Sequence, residues 1–166
     1  MDYGIRFKRV KAGISAAIMI CALFMAASCS DSASKEETAV DLGAVMDSIG
    51  EFVSDQDMLD LSDEEMLSFY GIEKGEYAQF AAKINVSGVS ADEIVFIEAA
   101  DANAAQSIKD KLENRYQAKL NETKNYFPDE YNKIQASSVE QNGNYISMVI
   151  SADADAINAV YRSAFQ

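Results

Sequence analysis

The sequence predicts an α+β fold: two N-terminal helices, then ββαββα, with one antiparallel sheet of about four strands packed on helices. Three observations carry this. Apolar residues switch between a helical period and a two-residue period along the chain. The run Ile94-Val95-Phe96-Ile97 is apolar on both faces, as a central strand requires. Asn142-Gly143 stands between two strand-like runs, a strong hairpin signal, and a type I′ turn there has φ > 0 at both residues.

The elements follow in order. Leu42, Val45, Met46, Ile49, Phe52 and Val53 recur at helical spacing and predict a helix from about Val40 to Val53. Thr38 and Asp41 resemble a shortened capping box before it. A second, short helix is expected over Asp63 to Tyr70, with Ser62 and Glu65 as a capping box and Gly71 as its stop. Ala78, Phe80, Ala82, Ile84 and Val86 then alternate with their neighbours as in a half-buried strand. A turn near Gly88 to Asp92 leads to a strand from Glu93 to Ala99.

Asp101 is placed to cap a long helix whose stripe is Ala105, Ile108, Leu112, Tyr116 and Leu120, ending near Thr123. Tyr126, Phe127, Pro128 and Tyr131 read as an aromatic loop. Lys133 to Gln141 and Tyr145 to Ser151 read as the two strands of the hairpin, and Asp153 to Phe165 as a last helix. Strand pairs alternating with amphipathic helices give a sheet with helices on a face, the opening helices covering an edge or part of the other face.

Residues 1–28 have the parts of an export signal. Arg6, Lys8, Arg9 and Lys11 precede an uncharged run of 17 residues, Ala12 to Ser28. Ala26-Ala27-Ser28 then places small residues before Cys29. This resembles the cleavage motif of bacterial lipoproteins, with cleavage after Ser28 and lipidation of Cys29; it departs in having Ala26 where Leu is usual. An uncleaved anchor is the competing reading, but the run sits at the short end of the about 17–25 residues needed to span a bilayer, and much of it is Ala, Ser or Gly. The expected organisation is a signal peptide at 1–28, a lipidated Cys and polar tether at 29–38, and one α+β domain at 39–166.

Four of the 14 Lys+Arg and one of the 27 Asp+Glu fall in residues 1–28; the remaining 10 against 26 give a net charge of −16. Such a charge argues against nucleic acid and against docking on anionic lipid headgroups. There is no His, and the two cysteines are Cys21 and Cys29, so the body beyond the anchor carries neither a histidine base nor a thiol. Zinc sites of His/Cys type are excluded, and no cofactor is expected.

Several clusters invite chemistry. Asp55, Asp57, Asp60, Asp63, Glu64 and Glu65 suggest a Ca²⁺ site, but their spacing fails the helix-loop-helix template. An exposed linker followed by acids at a helix N-terminus accounts for them, and no metal is assigned. Lys111, Arg115 and Lys119 form an i, i+4, i+8 stripe on the long helix, either a docking face or a solvated face laced with acids. Tyr126, Phe127, Tyr131 and Tyr145 either line a pocket or cap a core. These seven residues are the candidate binding surface, and no catalytic residues are assigned.

The chain also resembles a family of small Gram-positive lipoproteins, domain of unknown function 4358. The resemblance rests on the signal and Cys29, Asp63-Glu64-Glu65-Met66-Leu67 leading to Tyr70-Gly71-Ile72, Asp92-Glu93-Ile94-Val95-Phe96, Tyr126-Phe127-Pro128 leading to Tyr131, and Asn142-Gly143-Asn144-Tyr145. It implies a location and a common fold but supplies no catalytic residues. The expectation is a lipid-anchored extracytoplasmic module that binds a protein or glycan partner in an envelope complex. The alternative is an envelope hydrolase using carboxylates.

Overall fold

In the computed structural model, which describes residues 39–53 and 56–166, the apolar run after Asp92 lies at the centre of a five-stranded sheet. The elements in chain order are α1 (Leu42–Ser48), a 3-10 turn at Gly50–Phe52, β1 (Met58–Asp60), α2 (Asp63–Tyr70), β2 (Tyr77–Asn85), β3 (Glu93–Ala99), α3 (Ala102–Thr123), α4 (Pro128–Gln135), β4 (Val139–Asn142), β5 (Tyr145–Ile150) and α5 (Ala154–Ser163). All neighbouring strands are antiparallel, in the order β1-β2-β3-β5-β4. The α+β class is as expected, with one strand more than anticipated: β1, three residues long, pairs only with β2.

Both faces of the sheet are covered, because β3 and β5 are apolar on both sides. Val95, Ile97, Ile146 and Met148 pack on Met66 of α2, Ile108 and Leu112 of α3 and Ile134 of α4. Ile94, Phe96 and Val149 pack on Leu42, Val45 and Met46 of α1 and Ile157 and Tyr161 of α5. The Phe96 and Tyr161 rings stack at 4.6 Å. Each fully buried Leu, Ile or Phe contributes about 1.5–3 kcal/mol, so these two cores hold three layers together. The opening helices part company: α1 joins α5, while α2 joins α3.

Local chemistry sets the boundaries. Ser62 and Glu65 form the capping box of α2, and Gly71 ends it at φ 67°. The Asp101 carboxylate accepts from the N–H groups of Asn103 and Ala104 at the start of α3. The first helix is shorter than its apolar pattern suggests, and its cap is Asp41, which accepts from Ala44 N–H; Thr38 lies outside the described residues. In β2 a bulge between Tyr77 and Gln79 shifts the register. Tyr77 therefore joins Phe80 on one core, their rings edge-to-face at 5.1 Å. Gln79 turns to the other side, accepting from Leu42 N–H and donating to the Val40 carbonyl and Glu98.

The region from Tyr126 to Gln141 corrects two expectations. Pro128 opens α4, so Pro128 to Tyr131 are helical rather than loop, and Lys133 to Gln135 belong to that helix rather than to a strand. The physical reason is an ordinary helix signature: Pro in the first turn, Asp129 and Glu130 beside the positive helix end, Lys133 beside the negative one. The hairpin turn also sits one residue later than expected. Asn142 pairs with Tyr145 across Gly143-Asn144, and only Gly143, at φ 58°, has positive φ there. That is the type II′ pattern, with Gly in the first central position, in place of type I′.

Nothing lies within 4 Å of a Cβ built on Gly143, so a side chain there meets only backbone strain. Gly143→Ala is therefore expected to lower stability by about 1–2 kcal/mol. The check is the urea midpoint, which should fall while the slope stays unchanged.

Candidate functional site

One end of the sheet brings together the β2–β3 connection at residues 86–92, the C-terminal half of α3 and the start of α4. The centre of this end is Glu93, the first residue of β3, which is fully buried. It lies in register with Val95 and Ile97, and so points beneath α3. Its two oxygens receive four donors. The Tyr70 hydroxyl and Arg115 Nε donate to Oε1 at 2.8 and 3.2 Å. Arg115 Nη2 and Lys119 Nζ reach Oε2 at 3.0 and 2.8 Å. The Arg115 guanidinium also lies over the Tyr70 ring, 5.9 Å from its centroid.

Burial alone would raise the pKa of Glu93. Lys119 and Arg115 outweigh it and hold the carboxyl below the ordinary value of 4.5. Burial and the adjacent carboxylate push the Tyr70 hydroxyl well above 10, so it remains a donor. With both oxygens engaged, this carboxylate is a structural clamp rather than a poised base.

A second cluster fastens the loop. Lys119 Nζ donates to the Ala91 carbonyl at 2.8 Å, and Ala91 N–H donates to Glu130 Oε2 at 2.6 Å. Lys133 Nζ bridges Asp92 and Glu130 at 2.7 and 2.8 Å. Burial lowers the Lys133 pKa, but the two carboxylates outweigh it and raise the net value. Between the connection and α4 lies a cleft of about 170 Å³, lined by Val89, Ala91, Lys119, Glu122, Phe127 and Glu130 among others. Larger grooves between α1 and α5, about 320 Å³, and between α3 and β4, about 380 Å³, are not lined by a buried ionisable side chain. Among the described residues no group of three or more His, Cys, Asp or Glu is placed to hold a metal.

The seven surface candidates separate. Lys111 does lie on one stripe with Arg115 and Lys119, but the stripe turns inward: Lys111 pairs with Glu76 at 2.6 Å, and the other two with Glu93. Lys119 is only 8% exposed. Tyr126 is exposed, Phe127 is half-exposed in the cleft, and Tyr131 is half-buried on α4. Tyr145 lies in the opposite core, edge-to-face with Phe165 at 4.9 Å, so it shares no surface with them. Ser28 and Cys29 lie outside the described residues, as does Asp55 of the acidic run. Sequence reasoning missed Glu93, Tyr70, Val89 and Lys133. A signal for Glu93 did exist: an acid in register with the core residues of a central strand needs cations on the covering helix.

Removing Glu93 leaves Arg115 and Lys119 buried without an anion. Glu93→Ala is expected to cost about 3–5 kcal/mol of stability, read by urea unfolding. Because the folded pKa of Glu93 lies below 4.5, its contribution is present above that pH and is lost as pH falls through the folded value. In Glu93→Gln that share of the acid sensitivity below pH 4.5 should disappear from an acid-unfolding series.

No curated protein and no solved structure matches the chain. A family model does match, over residues 51–151, from the 3-10 turn through the end of β5. The match spans more than half of the 166 residues and takes in the whole of the Glu93 end of the sheet. The chain therefore belongs to the family described as Domain of unknown function (DUF4358).

Proposed function

We propose that the chain is an extracytoplasmic lipoprotein, held at the cell membrane through acylated Cys29, whose domain serves as a binding or accessory module for a partner in the envelope. One observation carries this reading: a basic N-terminus, 17 uncharged residues, and Ala26-Ala27-Ser28 directly before Cys29. The domain agrees with it in one respect. Among the described residues, Val40 is already buried and tied to Gln79, which leaves the eleven residues from Cys29 to Ala39 as the proposed link between anchor and body.

Binding is favoured over catalysis by how the carboxylates are used. A general acid needs a carboxyl whose pKa is raised. Among the described residues, the carboxyls with a resolved shift, Asp63, Glu65, Glu76 and Glu93, are all shifted down. Burial opposes each shift, but Lys74, Ser62, Lys111 and the Arg115–Lys119 pair respectively outweigh it. A carboxylate-dependent hydrolase therefore lacks its proton donor among these groups.

In cells fed alkyne-tagged palmitate, the wild-type chain is expected to take up the label and to partition with membranes. Cys29→Ala should abolish the label and release the protein from the membrane fraction. Wild-type chain without label, or label that survives the substitution, would overturn the anchor.

A further inference from the structure

Four of the large apolar side chains exposed on the domain gather at the Glu93 end of the sheet. Val86 and Val89 are 57% and 69% exposed on the β2–β3 connection; Tyr126 and Phe127 are 79% and 44% exposed at the α3–α4 corner. Val89 and Phe127 flank the same cleft. Exposed apolar groups concentrated at one place mark interaction sites. The cleft is smaller than the roughly 300–1,000 Å³ of small-molecule sites, which suits one inserted side chain rather than a free ligand. The end of the connection is fastened beneath the cleft, Ala91 by Lys119 and Glu130 and Asp92 by Lys133.

Among the residues that line the cleft, the charge left without an ion pair is negative. Lys119 is committed to Glu93, and Lys133 to Asp92 and Glu130. Glu122 lines the cleft with an exposed carboxylate; it lies in the field of Arg115 but forms no ion pair with Lys119 or Lys133. A cation on the partner is the complement. The position of the site on the domain separates two kinds of partner. Val40, next to the first described residue, is bonded to Gln79 at the far end of β2. Six residues of strand, about 20 Å, separate Gln79 from the connection. The tip thus lies at the opposite end of the sheet from Val40, and its carboxylates repel anionic headgroups. A bilayer is the poorer fit.

We infer that this tip docks a protein segment that inserts an aliphatic or aromatic side chain between Val89 and Phe127 and sets a lysine or arginine against Glu122. The inference deepens the binding-module reading and rests on it. The cleft and its charge do not depend on the anchor.

The test uses the full-length chain in detergent, panned against a phage-displayed library of random twelve-residue peptides. Selected peptides should carry an apolar residue beside Lys or Arg. Binding of such a peptide, read by fluorescence anisotropy, should weaken about tenfold or more in Val89→Asp and in Phe127→Ala. It should weaken and lose salt sensitivity in Glu122→Lys, and remain unchanged in Leu67→Asp, which alters an exposed residue of α2. The docking site is overturned if no peptide is selected, or if selected peptides bind Val89→Asp and Phe127→Ala as they bind wild type. Self-association abolished by Val89→Asp in sedimentation would make the tip an interface between copies instead. Flotation with phosphatidylglycerol vesicles, lost in the same variant, would make it a membrane contact. Neither result bears on palmitate labelling of Cys29, so the anchor stands or falls separately.

Discussion

A charged carboxylate lies at the start of the central strand, beneath a helix, and the surrounding architecture is arranged to neutralise it. Glu93 draws Arg115 and Lys119 from successive turns of α3 and the hydroxyl of Tyr70 from α2. Turning α3 by one residue, about 100°, would withdraw both cations at once. The contact therefore sets the rotation of the longest helix over the sheet. Whether an ion cluster adds net stability over an apolar one depends on context, but losing one member leaves a buried charge unpaired. Lys119 extends the constraint outward, since the same ammonium group holds the Ala91 carbonyl. Strand, helix and loop thus share one set of donors, and the shape of the tip follows from the core beneath it.

The parts of the fold legible in the sequence are those fixed by local chemistry. Ser62 with Glu65 marks a helix start through backbone hydrogen bonds of its own, so α2 runs from Asp63 to Tyr70 as read. The doubly apolar β3 announces a central strand without reference to its neighbours. What could not be read depends on partners distant in sequence. The stripe Lys111-Arg115-Lys119 is the same on paper whether it meets water or buried acids, and only the position of β3 decides it. Tyr145 follows its strand's alternation to the face opposite the other aromatics. The bulge at the start of β2 moves Tyr77 to the side occupied by Phe80, and alternation alone carries no mark of it. The start of the hairpin differs in kind: the helix signals of α4 are local, but a strand extended back to Lys133 from Asn142-Gly143 runs over them, and β4 begins only at Val139.

The domain divides its labour between its two ends. Where the chain enters, Gln79 bonds both Val40 and Leu42 and fixes α1 against the sheet. At the other end, ion pairs converge on a short loop and leave apolar side chains standing outside them. A support beneath an exposed apolar patch lowers the ordering cost of association, and here the backbone at Ala91 is already bonded to Lys119 and Glu130. Lys119 and Lys133, the cations that border the cleft at the tip, point inward to buried or half-buried acids.

The sheet's two borders carry a consequence for behaviour at high density. The long strands β2 and β3 lie inside the sheet, while β1 and β4, of three and four residues, form its margins. Each margin also bears a charged pair, Asp60 with Lys83 at one side and Glu140 with Arg162 at the other. A short, charged border offers few backbone groups to a neighbouring copy and discourages edge-to-edge strand pairing. Many copies crowded together would present one another with charge rather than open ladder, which disfavours fibrillar association.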